Sequence, residues 1–372
     1  MVWTILIFIV VLGVLVFAHE FGHFIAAKKS GMKVEEFGFG FPPRAVGIKR
    51  GDTVYSINWI PLGGFVKIKG ESGDHRDEPD SFASKSSWRR FVVLIAGVAM
   101  NLVLAAVLLS VGFMSGLPSV IDEATPASAR IQNEAIQVLR VVPGSPAEEA
   151  GIPVGAKIAA IDGRVFETAK EARDYIGSRE TNVVQFTVLL EDGSYVDRIL
   201  TPRLLEGQQI VGVGIGFMKT GVVSFSPPAA VYYGVVATGN YTVEVVRGFY
   251  GLIKNLIVHQ NVSADLSGPV GIAVMTGEAA RLGFAHLLQF TAILSINLAV
   301  INVLPFPALD GGRILFLAIE KVRRRKGSEI VEGWAHTFGF LLLMIVVILV
   351  TYRDLVHYGG QIVGALRHLV GA

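Results

Sequence analysis

His19, Glu20 and His23 stand together in VLVFAHEFGHFIAAKK, at the end of a run that is apolar from Val2 to Ala18 except for Thr4. Two histidines four residues apart on a helix share one face, about one turn from each other. This is the H-E-x-x-H spacing: both imidazoles can ligate one zinc ion, and the glutamate beside them can take a proton from an attacking water. A pair of satisfied helix histidines would explain the spacing alone. It would not explain Glu20, because an ionisable group costs ~2.5 kcal/mol or more at mid-bilayer.

A catalytic zinc needs a third protein ligand and an open position. The chain contains no cysteine, so that ligand must be His, Asp or Glu. Asp310, in INLAVINVLPFPALDGGRILFL, is one candidate and the only carboxylate between Glu278 and Glu320. Pro305, Pro307 and Gly311-Gly312 break the helix around it, and broken helices in membranes occur where backbone lines a site. Asp310 can equally be the N-cap of a helix starting near Gly311. The two roles are compatible, but capping alone leaves its place in an apolar segment unexplained.

The elements that must carry these residues are membrane helices. The 372 residues leave room for two or three compact units and are 52% hydrophobic and 17% charged. Together with a positive mean hydropathy, this points to a polytopic α-helical membrane protein. A net charge of +2 without a basic, aromatic-interleaved stripe argues against nucleic-acid binding. Four segments suit the ~20 residues of a span: Thr4–Ala27, Phe91–Leu117, Leu287–Leu304 and the short Phe338–Tyr352. VFA before His19 has the small-x-small form of a signal-peptidase site. No basic residue precedes the apolar run, however, and that run is longer than a usual signal core, so an uncleaved span is expected.

Basic residues crowd two loops, Lys28 to Arg90 and EKVRRRKG at 320–327. The positive-inside rule puts both in the cytoplasm, with both termini and residues 118–286 outside. Within the first loop, DTVYSINWIPLGGFVKIKGE alternates β-branched and aromatic residues around Pro61, Gly63 and Gly64, which predicts strands and a hairpin associated with the membrane. Pro227 to His259 is interrupted by Glu244, Arg247 and Lys254, and a fifth span there would set the basic loops on opposite sides. One or two amphipathic helices on the outer surface are expected instead. LSGPVGIA at 266–273 reads as a turn leading back into the membrane.

In AIQVLRVVPGSPAEEAGIPVGAKIAAIDGRVF, Ser145 can cap a short helix with Pro146 at its first position, and Thr168 and Glu171 have capping-box spacing. VVQFTVLL, Asp192-Gly193 and SYVDRIL make a hairpin. This stretch of about 80 residues resembles the PDZ domains of bacterial proteases, whose fold implies addition of an extended peptide to a sheet edge. No carboxylate-binding loop precedes its first strand, and the similar VGVGIGF at 211–217 lies beyond the expected end of the domain. The organisation expected is therefore two spans with the β region (1–117), an extracytoplasmic α/β PDZ domain (121–203), a linker with surface helices (204–286), and two further spans (287–372).

H-E-F-G-H, N-x-x-P-x-P-x-L-D-G-G and an intervening PDZ module together resemble the site-2 protease family of intramembrane zinc metalloproteases, of the bacterial RseP/RasP type. Better-known members carry two tandem PDZ domains, whereas this chain has room for one. The resemblance implies zinc ligands His19, His23 and Asp310, with Glu20 as general base. It implies that GGFVKIKGE, with Gly64 and Phe65, holds substrate extended, and that Asn302 positions substrate or stabilises the oxyanion. Asn101 in AGVAMNLVLA is similar to a recurrent asparagine of unassigned role. The implied activity is cleavage of single-span membrane proteins such as anti-sigma factors or signal-peptide remnants. It follows a first cut by an upstream site-1 protease, in the bacterial cytoplasmic membrane, during stress-responsive regulated proteolysis. A prenyl-protein type membrane protease, whose third ligand comes from a glutamate on a helix with a nearby histidine, is a second enzyme reading. A catalytically inactive, membrane-anchored PDZ adaptor would not need an intact Glu20.

Overall fold

A computed structural model describes residues 2–71, 73–123, 125–179, 182–190, 192–204, 211–258, 267–325 and 328–370. The chain divides into two compact units, Met1–Gly112 with Ala229–Ala372, and the inserted Phe113–Pro228.

The first helix, α1, covers Val2–Lys29 and ends on two lysines that complement its C-terminal dipole. The following ribbon consists of β1 (Val34–Arg50) and β2 (Thr53–Ile68). Its turn is at Gly51-Asp52, so the hairpin expected inside residues 52–71 takes its partner from residues 34–50 instead. The ribbon doubles back on itself. Phe37 and Gly38 pair with Val66 and Phe65 on one side and with Tyr55 and Ser56 on the other. Gly64–Ile68 therefore forms an edge, with no further strand paired to it among the described residues. Helix α2 follows as Ser87–Ser115.

The inserted unit contains β3 (Leu117–Val120), β4 (Arg130–Val141), α3 (Pro146–Glu149), β5 (Lys157–Ile161), α4 (Ala169–Ser178), β6 (Val184–Leu189) and β7 (Tyr195–Leu200), then β8 (Arg203–Leu204), β9 (Val211–Gly212) and β10 (Ile215–Ser224). Ser145 caps α3, Thr168 Oγ1 accepts from Glu171 N at 3.1 Å, and β6 and β7 pair across the Asp192-Gly193 turn, as the sequence predicts. The end of the domain lies further on than residue 203. The main sheet runs β3-β10-β4-β5-β6-β7, with β10 antiparallel to β4 from Ile215–Val141 to Ser224–Arg130. Val213 and Phe217 are buried in the same core as Ile136, Val138, Ile158 and Phe186, and burying a side chain such as Phe217 contributes roughly 1.5–3 kcal/mol. VGVGIGF is thus part of the domain. β3 covers only Thr220–Val223 of β10, and no other strand pairs with the free edge of Ile215–Met218 among the described residues.

Five helices complete the first unit: α5 (Pro227–Val258), α6 (Pro269–Leu282), α7 (Phe284–Val303), α8 (Asp310–Arg323) and α9 (Glu329–Val370). Among the described residues, four helices are long and apolar enough to cross a membrane, at Trp3–Lys29, Ser87–Ser115, Phe284–Val303 and Ile330–Gly360. They coincide with the four expected spans, and the last is longer than its sequence estimate. Helix α5 is one continuous helix, within the one or two expected. Gly234 meets Ser110 of α2, Gln289 of α7 donates to Tyr241 Oη at 3.3 Å, and Val246 and Ile253 line an apolar cavity with Val98, Leu102 and Val303. LSGPVGIA contributes the start of α6, where Gly268 N and Gly271 N donate to buried Asp354 of α9 at 3.2 and 2.7 Å.

Candidate active site

The site forms where α1, α2, α7 and the start of α8 converge. Helix periodicity stacks His19 on His23 in α1, and both are buried, at 8% and 7% exposure. Asp310 reaches them because the chain stops being helical at Leu304 and restarts at Asp310. The intervening turn is held by Phe306 O, which accepts from Leu309 N at 3.1 Å, and by His336 Nδ1, which accepts from Ala308 N at 3.0 Å. A Cβ on Gly311 or Gly312 would collide with the carbonyls of Val303, Leu304 and Phe306, so the two glycines let α8 start directly against this turn. Leu309 occupies the N-cap position, so Asp310 is the first helical residue and not the cap.

Three donor atoms converge. His19 Nε2 and His23 Nε2 are 3.2 Å apart, and Asp310 Oδ2 lies 3.1 Å from the first and 3.3 Å from the second. Asp310 Oδ2 is buried without a hydrogen-bond partner of acceptable geometry among the described residues. Tetrahedral zinc with bonds of 2.0–2.2 Å separates its ligands by about 3.3–3.6 Å. A triangle of one carboxylate oxygen and two imidazole nitrogens at these separations could hold one such ion.

The histidines are oriented from α2. His23 Nδ1 is 2.8 Å from Val93 O, and Asn101 Nδ2 is 3.2 Å from His19 Nδ1. Gly97 lies between these two α2 residues, and a Cβ there would collide with both imidazole rings. Sequence reasoning missed Gly97, since a glycine in an apolar helix carries no signal of what faces it. Asn302, near the end of α7, brings Nδ2 to 3.4 Å from His19 Nε2. Gly64 is also brought in, its Cβ position only 3.7 Å from Glu20 Cγ, with Phe65 next on the same edge strand. Close to the α8 end of the site, a polar cavity of about 220 Å³ is lined by Glu71, Arg90, Arg313, Glu320 and His336. Ion pairs Arg90–Glu320, at 2.8 Å, and Arg313–Glu71 cross it.

An HExxH helix completed by a distant aspartate, within a bundle of membrane-length helices, defines a membrane zinc metalloprotease site. The chain belongs to peptidase family M50, which it matches over residues 7–346. A Clostridium acetobutylicum protein, provisionally designated a zinc metalloprotease, is 34% identical over 95% of this chain and 98% of its own length. Zinc metalloprotease RasP of Geobacillus kaustophilus is 31% identical over 95% of this chain and 97% of its own length. The PDZ domain of an SdrC-like protein from Listeria innocua aligns with 22% of this chain and 92% of its own, at 24% identity and a TM-score of 0.21. This protein is accordingly a membrane zinc metalloprotease of the site-2 protease family.

Proposed function

We propose that the protein cleaves single-span membrane proteins within or beside the bilayer, with His19, His23 and Asp310 as zinc ligands and Glu20 as general base. The triangle of three donor atoms carried by α1 and α8 is the observation that supports this most directly. Zinc, when bound, supplies a Lewis acid that polarises the scissile carbonyl and acidifies water. Glu20, between the two histidines on α1, accepts the proton of the attacking water and delivers it to the leaving amine. Asn302 Nδ2 borders the same space and can donate to the carbonyl oxygen as negative charge develops there. The edge Gly64–Ile68 offers unpaired backbone to an extended substrate, which must lose its helix before its carbonyls are accessible. Purified protein should hold one zinc per chain, and His19→Ala or Asp310→Ala should lose it along with activity. Retention of stoichiometric zinc by either variant would overturn the ligand assignment.

The topology proposed has both termini and the inserted domain outside a bacterial cytoplasmic membrane. It rests on Lys28–Arg90 and the 320–327 segment, both basic, flanking spans that would place them together inside. With no native cysteine, single cysteines at Ser178 and Ser328 are expected to label from opposite sides of intact cells, Ser178 from outside. Labelling of both from one side would refute it.

The inserted domain, read as a PDZ module, is proposed as a gate that admits substrates already trimmed by an upstream site-1 protease. Its two connections meet, with Phe225 N donating to Phe113 O at 2.9 Å and the two rings 5.4 Å apart. A flexible linker can therefore replace residues 117–224 without separating α2 from α5. A domain of this size has a radius of gyration of about 13 Å, enough to exclude a folded external domain. The deletion should permit cleavage of untrimmed substrate. Continued restriction to trimmed substrate, with zinc retained, would locate the gate elsewhere. Loss of cleavage of trimmed substrate would instead indicate that the open edge of Ile215–Met218 captures substrate.

A further inference from the structure

The two histidines are held by different kinds of partner. His23 Nδ1 sits 2.8 Å from the main-chain oxygen of Val93, an acceptor that no side-chain substitution removes. His19 Nδ1 faces only a side chain here, the amide of Asn101 at 3.2 Å. An imidazole that offers Nε2 to a metal carries its proton on Nδ1, and that proton needs an acceptor. The amide nitrogen cannot accept, whereas the amide oxygen can. Asn101 is fully buried, and its Oδ1 has no hydrogen-bond partner among the described residues. Amide nitrogen and oxygen exchange by a half-turn, and the surrounding hydrogen bonds decide between the two orientations. Turning Oδ1 toward His19 Nδ1 gives the orphaned oxygen its donor and the histidine its acceptor.

The alternative tautomer would close the site. A proton on His19 Nε2, which faces Asp310 Oδ2 at 3.1 Å, would occupy the lone pair that a metal needs and remove one of the three donor atoms. An acceptor at Nδ1 biases His19 against it. Asn101 is itself fixed from α7: buried Ser295 Oγ donates to Asn101 O at 2.8 Å. The same helix continues to Asn302 and the break before Asp310.

We infer that Asn101 is a positioning residue for the metal, its amide oxygen accepting from His19 Nδ1–H and holding the ring with Nε2 toward His23 and Asp310. The inference rests on His19 being a zinc ligand. It is tested on the full-length protein by chelator-competition measurement of the zinc dissociation constant, with thermal midpoints recorded with and without zinc. Asn101→Leu keeps the volume but removes the acceptor, and should weaken zinc binding about 10- to 100-fold. Its metal-free midpoint should stay near that of the wild type while the zinc-dependent increment shrinks. Asn101→Asp restores an acceptor and should bind zinc within a few-fold of the wild type, with the same visible spectrum after cobalt substitution. Asn101→Met replaces the Leu variant if that does not fold. Wild-type zinc affinity in the acceptor-free variant, or an Asp variant as weak as the Leu one, overturns the inference. His19→Ala, measured alongside, separates the two readings. If it keeps zinc, the ligand assignment fails; if it loses zinc while Asn101→Leu does not, only the role of Asn101 fails.

Discussion

Glu20→Gln should retain one zinc per chain and cleave a single-span substrate at least about a hundredfold more slowly, at the lower end of what a positioned general base contributes. Glutamine preserves the length of the side chain and its capacity to hydrogen-bond, but it cannot carry a proton from water to a leaving amine. Zinc should stay because the donor triangle is made by His19, His23 and Asp310, and Glu20 is not part of it. Glu20 is only partly buried, beside the Gly64 edge, so an isosteric amide disturbs no core packing. The check is metal analysis of the purified variant together with cleavage in lipid nanodiscs. A rate within threefold of the wild type would sink the assigned base. Because the variant still holds zinc, it is also the form in which an uncleaved substrate can be cross-linked and identified.

The zinc-ligand candidates were legible because histidine, glutamate and aspartate have few other reasons to occupy apolar helices. The helices α1, α2, α7 and α9 were legible from their apolar length. Local chemistry was readable in the inserted domain as well: the Ser145 and Thr168 caps and the Asp192-Gly193 turn need only their neighbours to form. What escaped depends on partners distant in sequence. β1 carries three glycines and two prolines in VEEFGFGFPPRAVGIKR, which masks its alternation, and only its pairing with β2 makes it a strand. β10 follows the domain's other strands in the chain but sits between β3 and β4 in the sheet. Its membership is a fact of spatial order, invisible in a linear pattern.

Gly97→Ala should lose zinc as completely as removal of a ligand does, although no ligand changes. A methyl group on Gly97 would occupy space now filled by His23 Nε2 and the Cε1 atoms of both imidazoles. Such a clash is cheap only where the obstructing side chain can swing away. Here it cannot: Val93 O holds His23 at Nδ1, Asn101 borders His19 at Nδ1, and both rings are buried. The remaining response is for α2 to move away from α1. That withdraws Val93 and Asn101 from the rings and leaves both imidazoles free to turn their Nε2 atoms out of the donor triangle. Shifts of a few tenths of an ångström already matter for a zinc site, whose bond lengths hold within about 0.2 Å. The test compares Gly97→Ala with His19→Ala for zinc content and for thermal midpoint after chelation. Both should be metal-free, and Gly97→Ala alone should also lower the midpoint of the metal-free protein, because only it disturbs packing between α1 and α2. Full zinc occupancy at wild-type affinity in Gly97→Ala would mean that the helices separate without disturbing the ligands, and that the close approach at Gly97 is not what orients them.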